Sequence, residues 1–141
     1  MKGNKVSECK LLQFNKYVSP RRGTLTELDN GITFPFDTKR VYYLYDVPGG
    51  ESRGSHAHKS LEQIIIAASG SFRVTLDDGV EKQSFLLNRP SVGLYVKSGM
   101  WRDLDEFSSG AVCLVLASDL YKAEDYIRDY GEFLEYKEVT R

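Results

Sequence analysis

Short runs in which apolar and polar residues alternate recur along the chain, separated by turn-forming residues. This period of two is typical of β-strands with one buried face. Asp77-Asp78-Gly79 lies between two such runs and predicts a tight hairpin turn. The predicted strands are Ser7–Gln13, Leu25–Leu28, Arg40–Val47, Gln63–Ala68, Ser71–Leu76, Lys82–Leu87, Val92–Val96 and Ala111–Ala117.

The pattern changes towards the end of the chain. Between Tyr121 and Tyr136, apolar or aromatic residues stand at positions 126, 127, 130, 133 and 134, the spacing of a helix face. This spacing predicts one helix, with Asp119 as its N-cap or first-turn anion. Many short strands followed by one helix favour an antiparallel β-barrel or jelly roll. We therefore expect an all-β fold with a C-terminal helix.

Length, charge and cysteine content narrow the class of protein. A chain of 141 residues is expected to form one domain, residues 1–141, with its own core. The net charge is −1 and the basic residues are scattered, so neither nucleic acid nor a membrane is an expected partner. The first ten residues lack the apolar region of a signal peptide, which favours the cytoplasm. Cys9 and Cys113 fit no metal or redox spacing and are expected to be reduced thiols, with Cys113 buried.

Both histidines of the chain, His56 and His58, lie in one short segment, RGSHAHK. In a strand, residues two apart point to the same face, so the pair is expected to share one site. Together with Gly50, their spacing is similar to the opening of the first cupin motif, in which the histidines bind a metal. The remaining ligands of that motif decide whether a metal is expected here.

The third ligand of the cupin motif is a glutamate, and this chain has a glutamine at that position. Counting four residues on from His58 reaches Gln63, and the glycine of the motif then falls on Gly70. Glu62 fits a shorter spacing but leaves Gly70 one residue late. Neighbouring residues of a strand point to opposite faces, so only one of Glu62 and Gln63 looks into the barrel.

The fourth ligand is a histidine in a second motif, PxGxxH, and here the equivalent stretch is KSGMWR, which ends at Arg102. A guanidinium stays protonated and has no lone pair for a metal. Two histidines do not supply the three protein ligands of a catalytic zinc site. The sequence therefore predicts a site without a metal, in which His56 and His58 are catalytic bases and Arg102 faces an anionic oxygen.

Five segments make the chain similar to a known family: PFDTKRVYYLYDV, RGSHAHKSLEQ, SVGLYV, LVLAS and EDYIRDY. From about Arg22 to Tyr130 the chain resembles the dTDP-4-dehydro-6-deoxyglucose 3,4-ketoisomerases, the WxcM-like, sugar-nucleotide branch of the cupins. The resemblance implies a cupin jelly roll that converts a dTDP-linked 4-keto-6-deoxyhexose into its 3-keto isomer, ahead of amination. It implies no metal or organic cofactor. It also implies a homodimer with swapped N-terminal strands, and Ser7–Gln13 is the strand expected to cross.

The resemblance extends to individual residues. His56 and His58 match the active-site pair of the family, and Arg53 matches a residue beside that pair. The family varies at the positions of Arg22 and Arg102, where Tyr and His also occur. The residues expected to bind the substrate are Arg22, Tyr43, Arg53, Gln63 and Arg102.

Some alternatives stay open at the level of the sequence. The acid that partners His56 is one of Tyr43, Tyr45 and Glu62, and the configuration of the product at C4 is undetermined. A dTDP-sugar 3,5-epimerase has the related signature RGxHxQ, but here His58 takes the place of the glutamine, which favours the ketoisomerase. A cupin that binds a sugar nucleotide without catalysis is the third alternative.

Overall fold

Two five-stranded antiparallel sheets pack face to face in the computed structural model, which describes residues 1–140. Arg141, the last residue of the predicted domain, lies outside the described residues. The strands are β1 Lys10–Gln13, β2 Tyr17–Ser19, β3 Gly23–Leu25, β4 Arg40–Leu44, β5 Arg53–His58, β6 Gln63–Ser69, β7 Phe72–Asp77, β8 Lys82–Leu87, β9 Val92–Val96, β10 Trp101–Asp105, β11 Val112–Ala117 and β12 Tyr126–Ile127. The first sheet has the order β1-β9-β6-β11-β4, and the second has the order β12-β5-β10-β7-β8. The expected all-β sandwich with a C-terminal helix is confirmed.

Alternating residues of the two sheets fill the space between them. In β7, Phe72, Val74 and Leu76 are buried in the main core, whereas Arg73 and Thr75 are half-buried on the other face. A strand with one buried face shows this period-two pattern in its sequence. For this reason the sequence predicts β6, β7, β8, β9 and β11 to within one residue of each end.

The predicted hairpin turn between β7 and β8 is confirmed, and its aspartates explain why it forms. Asp77 accepts a hydrogen bond from the Gly79 backbone amide at 2.7 Å. Asp78 accepts hydrogen bonds from the amides of Val80 and Glu81, each at 2.8 Å. Gly79 has a φ of +98°, a conformation that side chains disfavour. The turn therefore needs these residue types at these positions.

The helix is shorter than the sequence predicts and begins at a different cap. Helix α1 spans Tyr130–Tyr136, and Asp129, not Asp119, accepts a hydrogen bond from its first turn. The preceding residues form a 3-10 helix, Ala123–Asp125, and the short strand β12. Ile127 of β12 is buried together with Phe133 and Leu134 of α1. A strand followed by a helix thus produced an apolar spacing that resembled one long helix. No helix within residues 1–140 has the length and apolar character needed to cross a membrane.

Several strand predictions are also corrected. Strands β2, β5, β10 and β12 are absent from the predicted set, and the prediction Leu25–Leu28 overlaps a strand, β3, at Leu25 alone. A 3-10 helix, Val6–Glu8, replaces the start of the predicted strand Ser7–Gln13, and β4 ends at Leu44. The sequences of β5 and β10, RGSHAH and WRDLD, are rich in polar residues. They escape a search for apolar alternation because some of these polar side chains face a cavity.

Strands β2 and β3 form a separate hairpin, residues 17–25, which we call the arm. The strands of the arm pair with each other and join neither sheet. Its apolar residues Tyr17, Val18 and Leu25 are exposed. By contrast, β1 pairs with β9 along its whole length, so the strand predicted to cross to a partner lies in the sheet of its own chain.

A buried lysine forms hydrogen bonds with two parts of the chain that are distant in sequence. Lys137, just after α1, donates hydrogen bonds from its ammonium group to the backbone oxygen of Asn4 at 2.7 Å and to that of Gly99 at 3.1 Å. The Gly99 amide in turn donates to the backbone oxygen of His58 at 2.7 Å. Lys137 thereby links the first residues of the described chain to the strand that carries both histidines.

Candidate active site

A cavity of about 540 Å³ opens between the sheets, next to His56. This volume is within the range of small-molecule sites. Four arginines line the cavity: Arg40, Arg53, Arg102 and Arg128. No aspartate or glutamate of residues 1–140 is among the lining side chains. The cavity therefore favours an anionic ligand.

A kink at the start of β5 sets the orientation of His56. Gly54 has a φ of +95° and Ser55 a φ of +54°, both in the left-handed region. A Cβ atom at Gly54 would lie 3.0 Å from the backbone oxygen of Arg102, so glycine permits the close approach of β5 to β10. The Gly54 oxygen is 3.0 Å from Nδ1 of His56. Because a carbonyl only accepts, Nδ1 of His56 carries a proton and Nε2 of the neutral ring is a free base.

The two histidines contact each other directly. Nε2 of His56 and Nε2 of His58 are 3.2 Å apart, and the rings are nearly perpendicular, at 88°. His56 is half-buried and lines the cavity, whereas His58 is 1% exposed and lies behind it. The structure therefore brings the predicted pair together but gives only His56 direct access to a ligand.

An aspartate that the sequence did not single out completes the pair. An Asp125 carboxylate oxygen lies 3.3 Å from Nδ1 of His58. The carboxylate is held by the Ser60 amide and hydroxyl, at 2.9 and 2.7 Å, and by the Leu61 amide at 3.3 Å. Asp125 precedes β12, which pairs with β5 at His58. It lies in a segment predicted to be helical, and this hid its position beside β5.

None of the acid partners proposed for His56 contacts that residue. Tyr43 on β4 and Tyr45, just after the end of that strand, are both exposed. Glu62 points away from the cavity and accepts a hydrogen bond from the hydroxyl of Tyr95. The carboxylate nearest the pair belongs instead to Asp125, and it contacts His58.

Arg102 lies beside His56, as the cupin template predicts. The two residues are register partners in β10 and β5, so their side chains point to the same face. Arg102 is 2% exposed and donates to the Gln63 side-chain oxygen and, at 3.2 Å, to the Met100 backbone oxygen. It forms no salt bridge with a carboxylate of residues 1–140, and its Nε has no hydrogen-bond partner there. A buried cation without a counter-ion is a site for an anion.

Gln63 points into the cavity, and Glu62 does not, which agrees with the motif frame. Besides accepting from Arg102, Gln63 donates a hydrogen bond to the Tyr42 hydroxyl at 2.9 Å. Tyr42 lines the cavity, and burial raises the pKa of its phenol. Gln63 therefore holds a neutral phenol and a guanidinium at fixed places in the wall.

Burial, followed by the charge of Arg102, lowers the pKa of both histidines. The pKa of His56 falls from 6.5 to about 4, and that of His58 falls further. Low dielectric disfavours the charged form of imidazole, and a neighbouring cation adds to this effect. Both histidines are therefore neutral near pH 7, which is the form that a base needs.

Of the other residues predicted to bind the substrate, one lines the cavity and two do not. Arg53 stands at the mouth of the cavity, exposed. Arg22 is exposed in the turn of the arm and does not line the cavity. Tyr43 does not line it either; its neighbour Tyr42 does. The face of β4 that lines the cavity is therefore the one that carries Tyr42, and substrate binding by Tyr43 stays a prediction.

The segment around β12 adds an aromatic wall that the sequence did not indicate. The Tyr126 ring lies 5.0 Å from the His56 ring and 4.4 Å from the His58 ring, measured between centroids. The Arg128 guanidinium lies 4.3 Å from the centroid of the Tyr126 ring. The Tyr126 ring therefore packs against both imidazoles and forms part of the cavity wall.

Within residues 1–140, no group of three or more His, Cys, Asp or Glu side chains is arranged to hold a metal ion. The expectation that the site works without a metal or cofactor stays a prediction. Both cysteines are buried free thiols, and burial raises the pKa of Cys113 to about 12. The predicted burial of Cys113 is confirmed, and the reduced state of the two thiols stays a prediction.

The sandwich, with a histidine-bearing cavity between its sheets, is a jelly roll of the cupin-like class. More narrowly, the chain belongs to the family described as FdtA: WxcM-like, C-terminal, whose model matches residues 7–138. This confirms the resemblance found in the sequence.

Individual relatives cover nearly the whole chain. The TDP-4-oxo-6-deoxy-alpha-D-glucose-3,4-oxoisomerase of Aneurinibacillus thermoaerophilus is 46% identical over 129 residues, 92% of each chain. A 3,4-ketoisomerase structure from Helicobacter canadensis is 46% identical, with a TM-score of 0.90, and covers 93% of this chain and 98% of its own. A histidine-to-asparagine mutant of the 3,4-ketoisomerase QdtA from Thermoanaerobacterium thermosaccharolyticum, in complex with TDP-4-keto-6-deoxyglucose, is 37% identical. Its TM-score is 0.91, and the match covers 95% of this chain and 96% of that one.

Proposed function

We propose that this protein is a 3,4-ketoisomerase that converts dTDP-4-keto-6-deoxyglucose into the dTDP-linked 3-keto isomer. One observation carries the proposal: a contacting pair of neutral histidines lies beside a buried arginine that has no carboxylate partner among residues 1–140. A base and an unpaired cation are what proton transfer through an anionic intermediate requires. Relatives that share 46% and 37% of their residues with this chain carry the same activity in their names.

The reaction relocates hydrogen and needs no oxidant. Nε2 of His56 removes the proton from C3 of the sugar, and the electron pair forms a C3–C4 double bond while O4 becomes an enediolate oxygen. The proton on O3 moves to O4, the carbonyl forms at C3, and His56 returns its proton to C4. The Arg102 guanidinium stabilises the charge on the enediolate without changing its own protonation state.

His58 and Tyr42 have different parts in this proposal. His58 lies behind His56, so it carries protons through its Nε2 contact with His56 and does not touch the sugar. The Tyr42 hydroxyl lines the cavity and is hydrogen-bonded to Gln63, so it is placed to pass the hydroxyl proton between O3 and O4. The mutant QdtA, which lacks one histidine and holds its TDP-sugar, supports a need for histidine in this chemistry.

The remaining arginines fit the nucleotide part of the substrate. Arg53 and Arg128 line the cavity and are exposed, so both are able to reach a diphosphate that extends towards solvent. Guanidinium groups pair with phosphate oxygens in a bidentate manner. We propose that these two residues hold the diphosphate while Gln63 and Arg102 face the sugar.

We also propose that the protein is a homodimer in which each arm packs on the partner chain. The exposed apolar residues of the arm have no place in either sheet of their own chain. The same exchange would carry Arg22, which lies far along the arm turn, towards the cavity of the partner. The predicted substrate contact of Arg22 needs such an exchange, because Arg22 does not line the cavity of its own chain.

Incubating the protein with dTDP-4-keto-6-deoxyglucose in D2O, and following the ring protons by NMR, tests the proposed activity. Deuterium should enter at C3 and C4 as the 3-keto isomer appears. Exchange at C3 and C5 would identify a 3,5-epimerase instead. Binding with no exchange would identify a non-catalytic sugar-nucleotide protein. The same assay after exhaustive chelation with EDTA should give an unchanged rate, and recovery only with an added divalent ion would show that a metal is needed.

A further inference from the structure

The contact between Asp125 and His58 raises a question about where the protons of the histidine pair lie. Gly54 fixes a proton on Nδ1 of His56, so Nε2 of that ring is bare. If neutral His58 carries its proton on Nε2, then its bare Nδ1 faces the Asp125 carboxylate at 3.3 Å, and two acceptors oppose each other. If the proton lies on Nδ1, then it faces the Asp125 carboxylate at 3.3 Å, in a charge contact that lacks hydrogen-bond geometry in this structure, and both Nε2 atoms are unprotonated.

We propose that Asp125 is the positioning residue of this site: it holds the His58 proton on Nδ1, so that the two Nε2 lone pairs converge on a single proton position. The inference rests on the proposed function. A proton taken from the substrate is then bound between two imidazoles, and the Asp125 carboxylate balances the new positive charge.

The surroundings of the carboxylate support this role. The side chain of Asp125 is 12% exposed, and its oxygens accept hydrogen bonds from Ser60 and Leu61, which fix the carboxylate in place. The residue that follows, Tyr126, packs against both histidine rings. One short segment therefore supplies both the carboxylate and the aromatic wall of the pair.

The other charges around the pair act in the opposite direction. Arg102 on β10, Arg128 after β12 and Arg40 on β4 disfavour a protonated histidine, and Asp103 on β10 opposes them only for His56. Asp125 is the carboxylate in direct contact with the pair among residues 1–140. Without Asp125, no carboxylate of the described residues in contact with the pair would balance the positive charge of a transferred proton, and the three arginines would disfavour that charge.

The chain has two histidines, so ¹⁵N spectra of histidine-labelled protein report this pair without overlap. In the wild-type protein without ligand, near pH 7, we expect His58 to show a protonated Nδ1 and a bare Nε2. In Asp125→Asn the amide group donates to Nδ1, so the tautomer of His58 should invert. The kcat should fall by about 10²-fold, as for the loss of a general acid–base contribution. Asp119→Asn is the matched control, because Asp119 lies in the same part of the chain and pairs with Lys122.

Wild-type His58 with its proton on Nε2 would overturn the inference, and so would an Asp125→Asn protein with an unchanged tautomer and kcat. The wild-type tautomer is measured without substrate, so it decides the question even if the variant fails to fold. It also separates this inference from the proposed function: a protein that does not isomerise the dTDP-sugar can still show the expected tautomer.

Discussion

At the scale of single residues, the site is arranged to keep its bases neutral. Burial of the imidazole, together with the charge of the buried Arg102 beside it, holds the pKa of His56 near 4. A base with a low pKa is fully available at neutral pH, but it has little intrinsic affinity for a proton. The chemistry therefore depends on the groups that stabilise the pair once a proton arrives.

Replacing His56 tests which residue takes the proton. We expect His56→Asn to lower kcat by about 10²- to 10⁴-fold, because a general base is removed from the reacting atoms. TDP affinity, measured by calorimetry, should stay within a few-fold, since Arg53 and Arg128 are unchanged. Lys59→Gln, at the exposed end of the same segment, should behave as wild type. Near wild-type turnover by His56→Asn would refute the proposed base.

Replacing Arg102 separates its charge from its bulk. In Arg102→Met we expect kcat to fall by about 10²-fold, as on removal of one donor to an oxyanion. Because a neighbouring cation disfavours protonated imidazole, its removal raises the pKa of His56 from about 4 towards 6.5. The acidic limb of the kcat/KM profile should therefore move to higher pH. If the acidic limb does not move and kcat is unaltered, Arg102 lies outside the site.

The position of the main site residues was predictable, and their surroundings were not. Period-two geometry and the motif spacing place His56, His58, Gln63 and Arg102 on inward faces, because these rules depend on distances along one strand. Asp125 reaches the pair through the pairing of β12 with β5, and such a long-range pairing leaves no local signal in the sequence.

At the scale of elements, the approach of β5 to β10 decides the geometry of the site. The register between the two strands shifts between Arg102 and Asp103, next to the kink at Gly54. Bulges of this kind redirect side chains beside active sites. Apolar alternation did not predict either strand, because catalytic strands present polar residues to a cavity.

A pair of glycine substitutions tests this approach. Gly54 and Gly50 both have positive φ, but a Cβ atom at Gly50 meets nothing within 4 Å, whereas at Gly54 it meets the Arg102 oxygen at 3.0 Å. Gly50→Ala should therefore show only the cost of backbone strain, about 1 kcal/mol. Gly54→Ala should lower the free energy of unfolding further and reduce kcat, because the Gly54 carbonyl orients His56. Equal losses in urea unfolding and equal kcat would show that the contact with β10 is unimportant.

At the scale of the whole molecule, the arm is the part that its own chain leaves uncovered. We expect light scattering at micromolar concentration to give twice the chain mass of 16.0 kDa. Val18 is 69% exposed in the arm, so Val18→Asp should shift the protein towards the monomer. Val80 is 64% exposed in the β7–β8 turn, and Val80→Asp should leave the mass unchanged. A wild-type monomer would contradict the proposed dimer.

The sequence pattern favoured an antiparallel barrel or jelly roll, but it did not predict the conformation of the N-terminal part. Alternation marks strands that have one buried face, which is why the central strands are recovered. The arm has its apolar residues exposed on a chain taken alone, so no burial pattern defines its strands. Pairing partners are also absent from a pattern of this kind. The expectation that Ser7–Gln13 crosses to a partner came from the family resemblance, and in the described chain β1 pairs with β9.

The buried Lys137 has a consequence for the order of folding. Its hydrogen bond to Asn4 closes a loop of 133 residues, and contacts that are so distant along the chain form late because their closure entropy is large. During synthesis, both sheets leave the ribosome before residue 137 does. We expect hydrogen exchange to show that the Gly99 amide, which bonds to His58, gains protection after the central strands do. The catalytic strand would then reach its final position last, and incomplete chains would be folded in part but inactive.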